Sequence, residues 1–316
     1  MIHTAVLKKE VLEYLDPKPN EDFVDCTIGE GGHSEDILKK NGPEGKVLGI
    51  DLDLQQITSS QWLHVQFKDR IVLVNESYAN LIEIIERKGF GQVNPVRGQD
   101  TSGAPQTNKT SNGVNGILLD LGMSSAQLEK THKGFSFQVD QGLDMRYNDE
   151  VNYLTAEKIV NEWSEEKIKD ILENYGEEKF AKKIAKNIFE QRKLGRIKTT
   201  FQLIEIVKDA TPSAYWRGKI HYATRTFQAL RIAVNDELEN IKRVLPQAVS
   251  VLASEGRLVL ISFHSLEDRI VKNFFASEAK KGILKILTKK PVTAGREELG
   301  KNPRSRSAKL RVAVKI

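Results

Sequence analysis

Short apolar runs, each followed by an amphipathic stretch, organise much of the chain. The runs are long enough for buried strands, and the segments between them carry helical periodicity. They span residues 23–26, 46–51, 70–75, 116–122 and 256–263, with a last strand near the C-terminus. This alternation predicts an α/β fold with a mostly parallel, doubly wound, Rossmann-like sheet.

The strand pattern stops between residues 129 and 219, where amphipathic helices follow one another. Phe180, Ile184 and Ile188, for example, share one face of a helix predicted over 177–192. We therefore expect a discontinuous sheet domain at 1–130 and 220–316, and an inserted all-helical domain at 131–219 for substrate recognition. A helix is predicted over 54–65. A longer one is predicted over 224–252, with a break near Pro246.

Residues 91–115 break the alternation with a low-complexity stretch rich in Gly, Asn, Thr, Ser, Gln and Pro. Such a composition cannot bury a core, so it predicts a flexible surface loop without chemistry.

The composition indicates in which compartment the protein works and what kind of partner it binds. The 316 residues contain one cysteine, Cys26, no apolar run of eighteen residues and no targeting pattern. We therefore expect a cytoplasmic protein without a membrane span. The net charge is +5, but residues 251–316 hold fifteen Lys or Arg against six Asp or Glu. A basic C-terminal third predicts a polyanionic partner, although a solvated basic tail would look the same.

A glycine-rich turn, GEGGH at 29–33, joins the first predicted strand to a helix, and Asp51 ends the next strand. Bare backbone at a helix N-terminus and an acid for ribose hydroxyls predict a nucleoside-binding corner. The turn lacks the third glycine of dinucleotide-binding motifs. Together with Asp25 and Asp53, this favours S-adenosylmethionine over a dinucleotide. The alternative is a tight turn that holds no ligand.

Polar residues also end the other strands. Asp120 could accept a hydrogen bond from an adenine or target amine, or it could cap the next helix. His33 is predicted to line the corner. His264 either lies at the same edge or caps a helix. No histidine pair has metal-ligand spacing, so no metal site is expected.

RNA contacts are predicted for a set of basic side chains that could hold phosphates. They are Arg225, Arg231, Lys290, Arg304, Arg306, Lys309 and Arg311. Aromatic side chains could in addition stack unpaired bases, or simply pack. They are Phe135, Phe137, Tyr147, Tyr215 and Trp216.

Nine stretches, taken together and in order, resemble the ribosomal RNA small-subunit methyltransferase H family, also called MraW. They are distributed along essentially the whole chain, from residue 3 to residue 311. They are HTAVL (3–7), DCTIGEGGHS (25–34), LLDLGMSSAQ (118–127), GFSF (134–137), LDMR (143–146), YGEE (175–178), ATRTFQALRI (223–232), SFHSLEDRIVK (262–272) and NPRSRSAKLR (302–311).

The resemblance implies a class I methyltransferase with a helical insertion, which methylates N4 of a cytosine in the decoding region of 16S ribosomal RNA. It implies the small ribosomal subunit as partner, no membrane, and leaves a homodimer open. The 91–115 loop is longer than is usual for the family. The implied S-adenosylmethionine contacts are Gly31, Gly32, His33, Asp51, Tyr78, Asp120 and Gln127.

Catalysis on an exocyclic amine needs an acceptor for the N4–H bond, and either Asp120 or Asp144 could supply it. Spacing does not decide between the two. Two rival functions remain: a nicotinamide-dependent oxidoreductase, and a ribosome-assembly factor that binds RNA without transferring a methyl group.

Overall fold

The computed structural model describes residues 5–91, 113–123, 132–218 and 220–316. The chain divides into two compact units, one formed by Met1–Gly122 with Asn240–Ile316 and the other by Met123–Glu239. They are called here the sheet unit and the helical unit. The helical unit is longer than the insertion expected at 131–219. The loop expected at 91–115 lies largely outside the described residues.

The sheet unit contains a seven-stranded sheet. In chain order its strands are β1 (Phe23–Asp25), β2 (Val47–Asp51), β3 (Ile71–Asn75), β4 (Val114–Asp120), β5 (Leu252–Ser262), β6 (Leu284–Ile286) and β7 (Lys309–Lys315). The spatial order is β3-β2-β1-β4-β5-β7-β6. The pairs from β3 to β5 are parallel, and β7 runs antiparallel to both β5 and β6. The predicted mostly parallel α/β sheet is confirmed.

The chain reverses its order of strand addition between β1 and β4, which are neighbours in the sheet. In open parallel sheets, ligands bind outside the carboxyl ends of the strands at this switch point. The register pairs Asp51 with Asn75, and Asp25 with Gly49. A Cβ at Gly49 would lie 2.2 Å from Ile28 Cδ1, so glycine is needed there for the turn to pack on β2.

Apolar side chains from the helices and strands form the core of the sheet unit. Phe23, Leu38, Leu63 and Leu310 are fully buried in it. The helix predicted over 54–65 is in fact two short helices. The helices wholly within this unit are Lys8–Leu15, Gly32–Lys40, Leu54–Ser60, Trp62–Phe67, Leu81–Lys88, Ser265–Lys280 and Arg296–Lys301.

The helical unit packs around its own core, in which Ile159, Ile168, Ile184 and Leu203 are fully buried. Its helices are Ala156–Glu162, Glu165–Asn174, Ala181–Leu194, Thr200–Ala210, Ser213–Trp216 and Thr224–Asn235. The third begins four residues later than predicted, because Glu177 has a left-handed φ of 48° that no helix accommodates. Among the described helices, none is long and apolar enough to cross a membrane.

The break predicted near Pro246 is wrong. The helix Thr224–Asn235 ends where Asp236 takes a left-handed φ of 52°, and a second helix runs over Glu237–Val251. Pro246 lies inside this second helix, where its ring is exposed. A left-handed aspartate therefore ends the first helix, and the proline is accommodated without ending the second.

Replacing Pro246 with alanine is expected to raise the free energy of unfolding. Alanine restores a backbone N–H in the helix and is about 3 kcal/mol better than proline in a helix interior. Proline recovers up to about 1 kcal/mol of this by restricting the unfolded chain, so the net gain is about 2 kcal/mol. Urea unfolding of the Pro246→Ala variant measures it.

Pro303 provides the control, because it occupies the first turn of the short 3-10 helix Pro303–Ser307. Proline costs little at such a position, so Pro303→Ala should leave stability unchanged or slightly lower. Equal effects of the two substitutions would contradict a continuous helix through Pro246.

Candidate cofactor-binding site

The glycine turn after β1 has the backbone that its sequence predicts. Gly29 and Gly31 have φ values of +53° and +87°, and Gly31 immediately precedes the helix Gly32–Lys40. A Cβ at Gly31 would lie 2.7 Å from Leu63 Cδ1, so both conformation and space require glycine. The N-cap residue, Gly31, has no side chain to cap this helix, which leaves its first amides directed toward the turn.

Asp51, at the end of β2, fixes the other side of the turn. Its carboxylate accepts hydrogen bonds from the amides of Gly29, at 3.1 Å, and Asp53, at 2.9 Å. Burial raises the pKa of Asp51 to about 7, although both amide hydrogen bonds favour the ionised form. Each carboxylate oxygen retains a further lone pair, so Asp51 can still accept from a ligand hydroxyl.

Asp25, at the end of β1, ties the strand to the helix that follows the turn. It is 1% exposed and accepts hydrogen bonds from Ser34 Oγ at 2.7 Å and from the Thr27 amide at 3.2 Å. Burial raises the pKa of its carboxyl group. Asp25 therefore joins the end of β1 to the turn, through Thr27, and to the following helix, through Ser34.

Asp120, at the end of β4, faces His33 at the start of the helix. His33 Nε2 lies 3.6 Å from Asp120 Oδ2, and the Asp120 amide donates to Thr27 Oγ1 at 2.7 Å. Among the described residues, His33 Nε2 and Asp120 Oδ1 are buried and lack a hydrogen-bond partner. Unpartnered buried polar atoms are rare, and here two of them meet at the switch point.

Gln56 is a residue of this corner that sequence reasoning missed. It is 2% exposed, and within the described part of the chain its Oε1 has no hydrogen-bond partner. This oxygen lies 3.8 Å from where a Cβ on Gly29 would be. The only sequence signal was its position three residues after Asp53, a spacing typical of a capping box. Here the Asp53 amide instead donates to Asp51.

Tyr78 and Asn75 follow the neighbouring strand. Tyr78 begins a short 3-10 helix after β3 and is half-buried. Asn75 is exposed, and its side-chain amide donates to the carbonyl groups of Asp51 and Leu52, each at 3.0 Å. The predicted contact Gln127 lies outside the described residues. The structure thus brings together His33, Asp51 and Asp120 with the turn.

His264 caps a helix, which was one of its two predicted roles. It precedes Ser265–Lys280 and forms a capping box with Glu267, whose carboxylate accepts from the amides of Phe263, at 2.8 Å, and His264, at 3.3 Å. The imidazole Nε2 also lies 3.2 Å from Glu267 Oε1. His264 Nδ1 thus serves as a helix cap, while within the described residues its buried Nε2 has no hydrogen-bond partner.

Asp144, the second predicted acceptor, belongs to the helical unit and is already paired. Arg146 donates to it from Nε at 2.8 Å and from Nη2 at 2.6 Å, and the Arg146 amide adds a third hydrogen bond at 2.9 Å. The bidentate pair occupies both carboxylate oxygens.

Two of the predicted RNA contacts are likewise engaged within the protein. Arg231 makes a bidentate pair with Glu237 at 2.8 and 2.9 Å. Arg311 is 8% exposed and pairs with Asp268. Burial opposes ionisation of Asp268, but Arg311 holds its pKa below the ordinary value. Both guanidinium groups therefore already have a carboxylate partner within the protein.

The remaining predicted basic residues differ in accessibility. Lys290 and Arg306 are exposed, and Arg304 is half-buried. Lys309 lies 3.6 Å from Asp268. Arg225 donates from Nη1 to the Glu177 carbonyl. Phosphate binding by this set stays a prediction.

A mostly parallel sheet with a reversed last strand, and a glycine turn facing two strand-end acids at its switch point, define the class I methyltransferase fold. Comparison with known proteins gives the particular family. The chain belongs to the MraW methylase family, whose model matches residues 1–316. The protein is therefore a methyltransferase that uses S-adenosylmethionine.

Curated relatives named Ribosomal RNA small subunit methyltransferase H match over nearly the full chain. The protein from Heliobacterium mobile is 42% identical, and that from Sulfurihydrogenibium sp. (strain YO3AOP1) is 45% identical; each match covers 99% of both chains. A solved rRNA methylase from Streptococcus thermophilus has 9% identity and a TM-score of 0.40, over 98% of this chain and 93% of that one. An identity and a TM-score this low carry no argument, so the fold is defined by the sheet topology.

The residues of the corner fit this cofactor. Asp51 keeps acceptor capacity for ribose hydroxyls, and the uncapped helix after Gly31 suits a carboxylate. Within the described residues, the buried oxygen of Asp120 lacks a donor, which an amine would supply.

Cofactor affinity is expected to rise with pH between about 6 and 8. Asp51 has a pKa of about 7, raised by burial, and only its ionised form accepts hydrogen bonds from two ribose hydroxyls. Affinity is therefore lost as pH falls through 7, by about tenfold between pH 8 and pH 6. Calorimetric titration with S-adenosylhomocysteine, which keeps the same ribose, measures this dependence.

The Asp51→Asn variant is the control, because an amide does not titrate. It should bind more weakly at pH 8 and show no slope across this range. A slope that persists in the variant would assign the titration to another group.

Proposed function

We propose that the protein methylates N4 of a cytosine in the decoding region of small-subunit ribosomal RNA. The corner formed by Asp51, His33 and Asp120 carries the proposal, because it places amine and hydroxyl acceptors at the edge where the methyl donor binds. The names of the relatives supply the RNA. The specific base and its place in the decoding region follow from the resemblance to the family.

The donor would be held by residues of the sheet unit. Asp51 would accept from the ribose, the amides following Gly31 would bind the carboxylate of the amino-acid end, and Tyr78 would provide an apolar ring for the adenine. Gln127 is the remaining expected contact. Once bound, S-adenosylmethionine supplies an electrophilic methyl group on a positively charged sulfur.

The protein's task in catalysis is mainly positioning. The exocyclic amine of cytosine is a weak nucleophile, because its lone pair is delocalised into the ring. Holding N4 in line with the methyl group can supply much of the rate enhancement. No strong base is required before attack, since the methylated amine becomes acidic and loses its proton afterwards.

Asp120 is the better candidate for the acceptor of the N4–H bond. Within the described residues its Oδ1 has no hydrogen-bond partner, whereas the negative charge of Asp144 is already paired with the Arg146 guanidinium. An acceptor with a vacant lone pair can orient the amine and then take up its proton.

The oxidoreductase alternative is excluded by family membership. The RNA-binding alternative, an assembly factor that retains a nucleoside pocket, makes a different prediction for methyl transfer. An enzyme that acts on ribosomal RNA in a bacterium would work in the cytoplasm. The homodimer left open by the sequence stays a prediction.

Transfer of a tritiated methyl group to small ribosomal subunits tests the function directly. The expected product, after nuclease digestion of the RNA, is N4-methylcytidine at one position. Subunits that already carry the modification serve as the control and should accept no label. Label on another base would contradict the assigned target, and binding without transfer would favour the assembly factor.

Replacing Asp120 with asparagine is expected to lower the single-turnover rate by about a hundredfold at saturating donor. An amide is a weaker acceptor for the N4–H bond than a carboxylate, so N4 is held less well in line with the methyl group, and a misplacement of about 1 Å can cost about a hundredfold. Rapid quench with labelled donor on small subunits measures the rate.

Asp144→Asn is the matched variant, because it removes a carboxylate that Arg146 already occupies. It should stay within about threefold of the wild-type rate. If Asp120→Asn weakens only donor affinity and keeps the wild-type rate at saturation, Asp120 holds the adenine and is not the acceptor.

A further inference from the structure

Five aromatic rings run in series through the helical unit: Phe227, Phe137, His221, Tyr222 and Trp216. The buried Phe227 meets Phe137 edge-on, with ring centroids 5.6 Å apart. Phe137 stacks on His221 at 4.6 Å and 12°, and His221 stacks on Tyr222 at 4.2 Å and 29°. Trp216 adjoins Tyr222 at 6.1 Å. We call this set the ring series.

The outer rings are exposed and yet fixed in orientation. His221 is exposed, and Trp216 is 39% exposed. Trp216 Nε1 donates to Thr211 Oγ1 at 3.0 Å, and His221 Nδ1 accepts from the Ala223 amide at 3.3 Å. Rings that are already held lose little conformational entropy when a ligand stacks on them.

Positive charge accompanies the exposed rings. Lys208 Nζ lies 5.8 Å from the Trp216 ring centroid, although Glu205 also pairs with this lysine at 3.0 Å. Arg217, the next residue after Trp216, is exposed. Flat rings beside cations are the chemistry that binds unpaired bases and their phosphates.

Not all aromatic residues of this unit share these properties. Phe135 is buried and stacks on Tyr147, and the Tyr215 hydroxyl donates to Glu178 at 2.9 Å. These packing and hydrogen-bond contacts explain the positions of Phe135, Tyr147 and Tyr215 within the folded unit. The exposure of Trp216 has no such explanation in packing, and His221, whose two faces are covered by Phe137 and Tyr222, is exposed at its edge.

We propose that the ring series is a stacking site for an unpaired RNA base. The exposed side of Trp216 takes the base, the exposed edge of His221 adjoins it, and Arg217 takes a neighbouring phosphate. This inference rests on the proposed function, since it names the part of the helical unit that binds the RNA. Such a contact would accept any of the four RNA bases, because every base has a π-face.

RNA binding by two alanine variants tests the site. Fluorescence anisotropy with single-stranded oligouridylate, at several salt concentrations, gives affinity and salt slope. Trp216→Ala should weaken binding about tenfold. His221→Ala should weaken it less, about threefold, because only the edge of this ring meets the base. Their salt slopes should equal that of the wild type, because stacking releases no counterions. Arg217→Ala should instead reduce the slope by about one.

Two controls separate stacking from loss of folding or of charge. Tyr153→Ala removes a ring that is 74% exposed on the same unit and outside the ring series, and it should bind as the wild type does. Trp216→Phe keeps a ring and should stay within about threefold. Circular dichroism and donor affinity confirm that each variant is folded.

An abasic oligomer of the same length provides the decisive comparison. It keeps the backbone and lacks bases, so the wild type should bind it more weakly and the alanine variants should lose nothing further. An equal loss on both oligomers would overturn the stacking site. So would wild-type affinity of both alanine variants, while methyl transfer by the wild type would still uphold the proposed function.

Discussion

The hydrogen bond from the Gly29 amide to the Asp51 carboxylate is the constraint on which the cofactor corner depends. It joins the glycine turn after β1 to the end of β2. Together with the amide bond from Ile28 to the Ile50 carbonyl, it leaves the turn one position. The helix Gly32–Lys40 then begins at a fixed place. His33, on this helix, lies 3.6 Å from Asp120, which is tied to the same turn by the hydrogen bond from its amide to Thr27 Oγ1.

Burying Asp51 has an energetic cost that shows in its pKa of about 7. Ionised carboxylates far from water are unfavourable unless donors surround them, and two backbone amides compensate only in part. Ligand hydroxyls are further donors, so binding would relieve a cost that folding leaves in place. The same surroundings that destabilise the charge in the free protein thus favour a ribose over a ligand without adjacent hydroxyls.

The strand ends and the glycine turn could be predicted from the sequence, because each follows from a local pattern. Apolar runs locate β1, β2 and β4, and parallel pairing brings Asp25, Asp51 and Asp120 to one edge. The pairing of charged residues could not be predicted. Arg311 is neutralised by Asp268, forty-three positions earlier, and this pairing exists only once β7 lies beside β5.

Helix boundaries show the same division between local and tertiary information. Proline is the strongest local signal for a break, yet Pro246 lies within a helix while Asp236 ends one. Aspartate adopts the left-handed conformation more readily than most residues, but its presence alone does not indicate that a helix ends there. Gln56 was missed for a similar reason: only the folded corner shows that its buried oxygen faces the glycine turn.

The basic tail presents less charge than its composition implies. Lys281 pairs with Glu278, Lys301 with Glu297, and Asp268 engages both Arg311 and Lys309. Lys289, Lys290 and Arg306 are among the exposed cations of this region that an RNA backbone could meet. Such contacts supply affinity that falls steeply with salt and do not distinguish one base from another. Selection of a single cytosine, as proposed, would therefore come from groups that touch the base itself, such as an amine acceptor and aromatic rings.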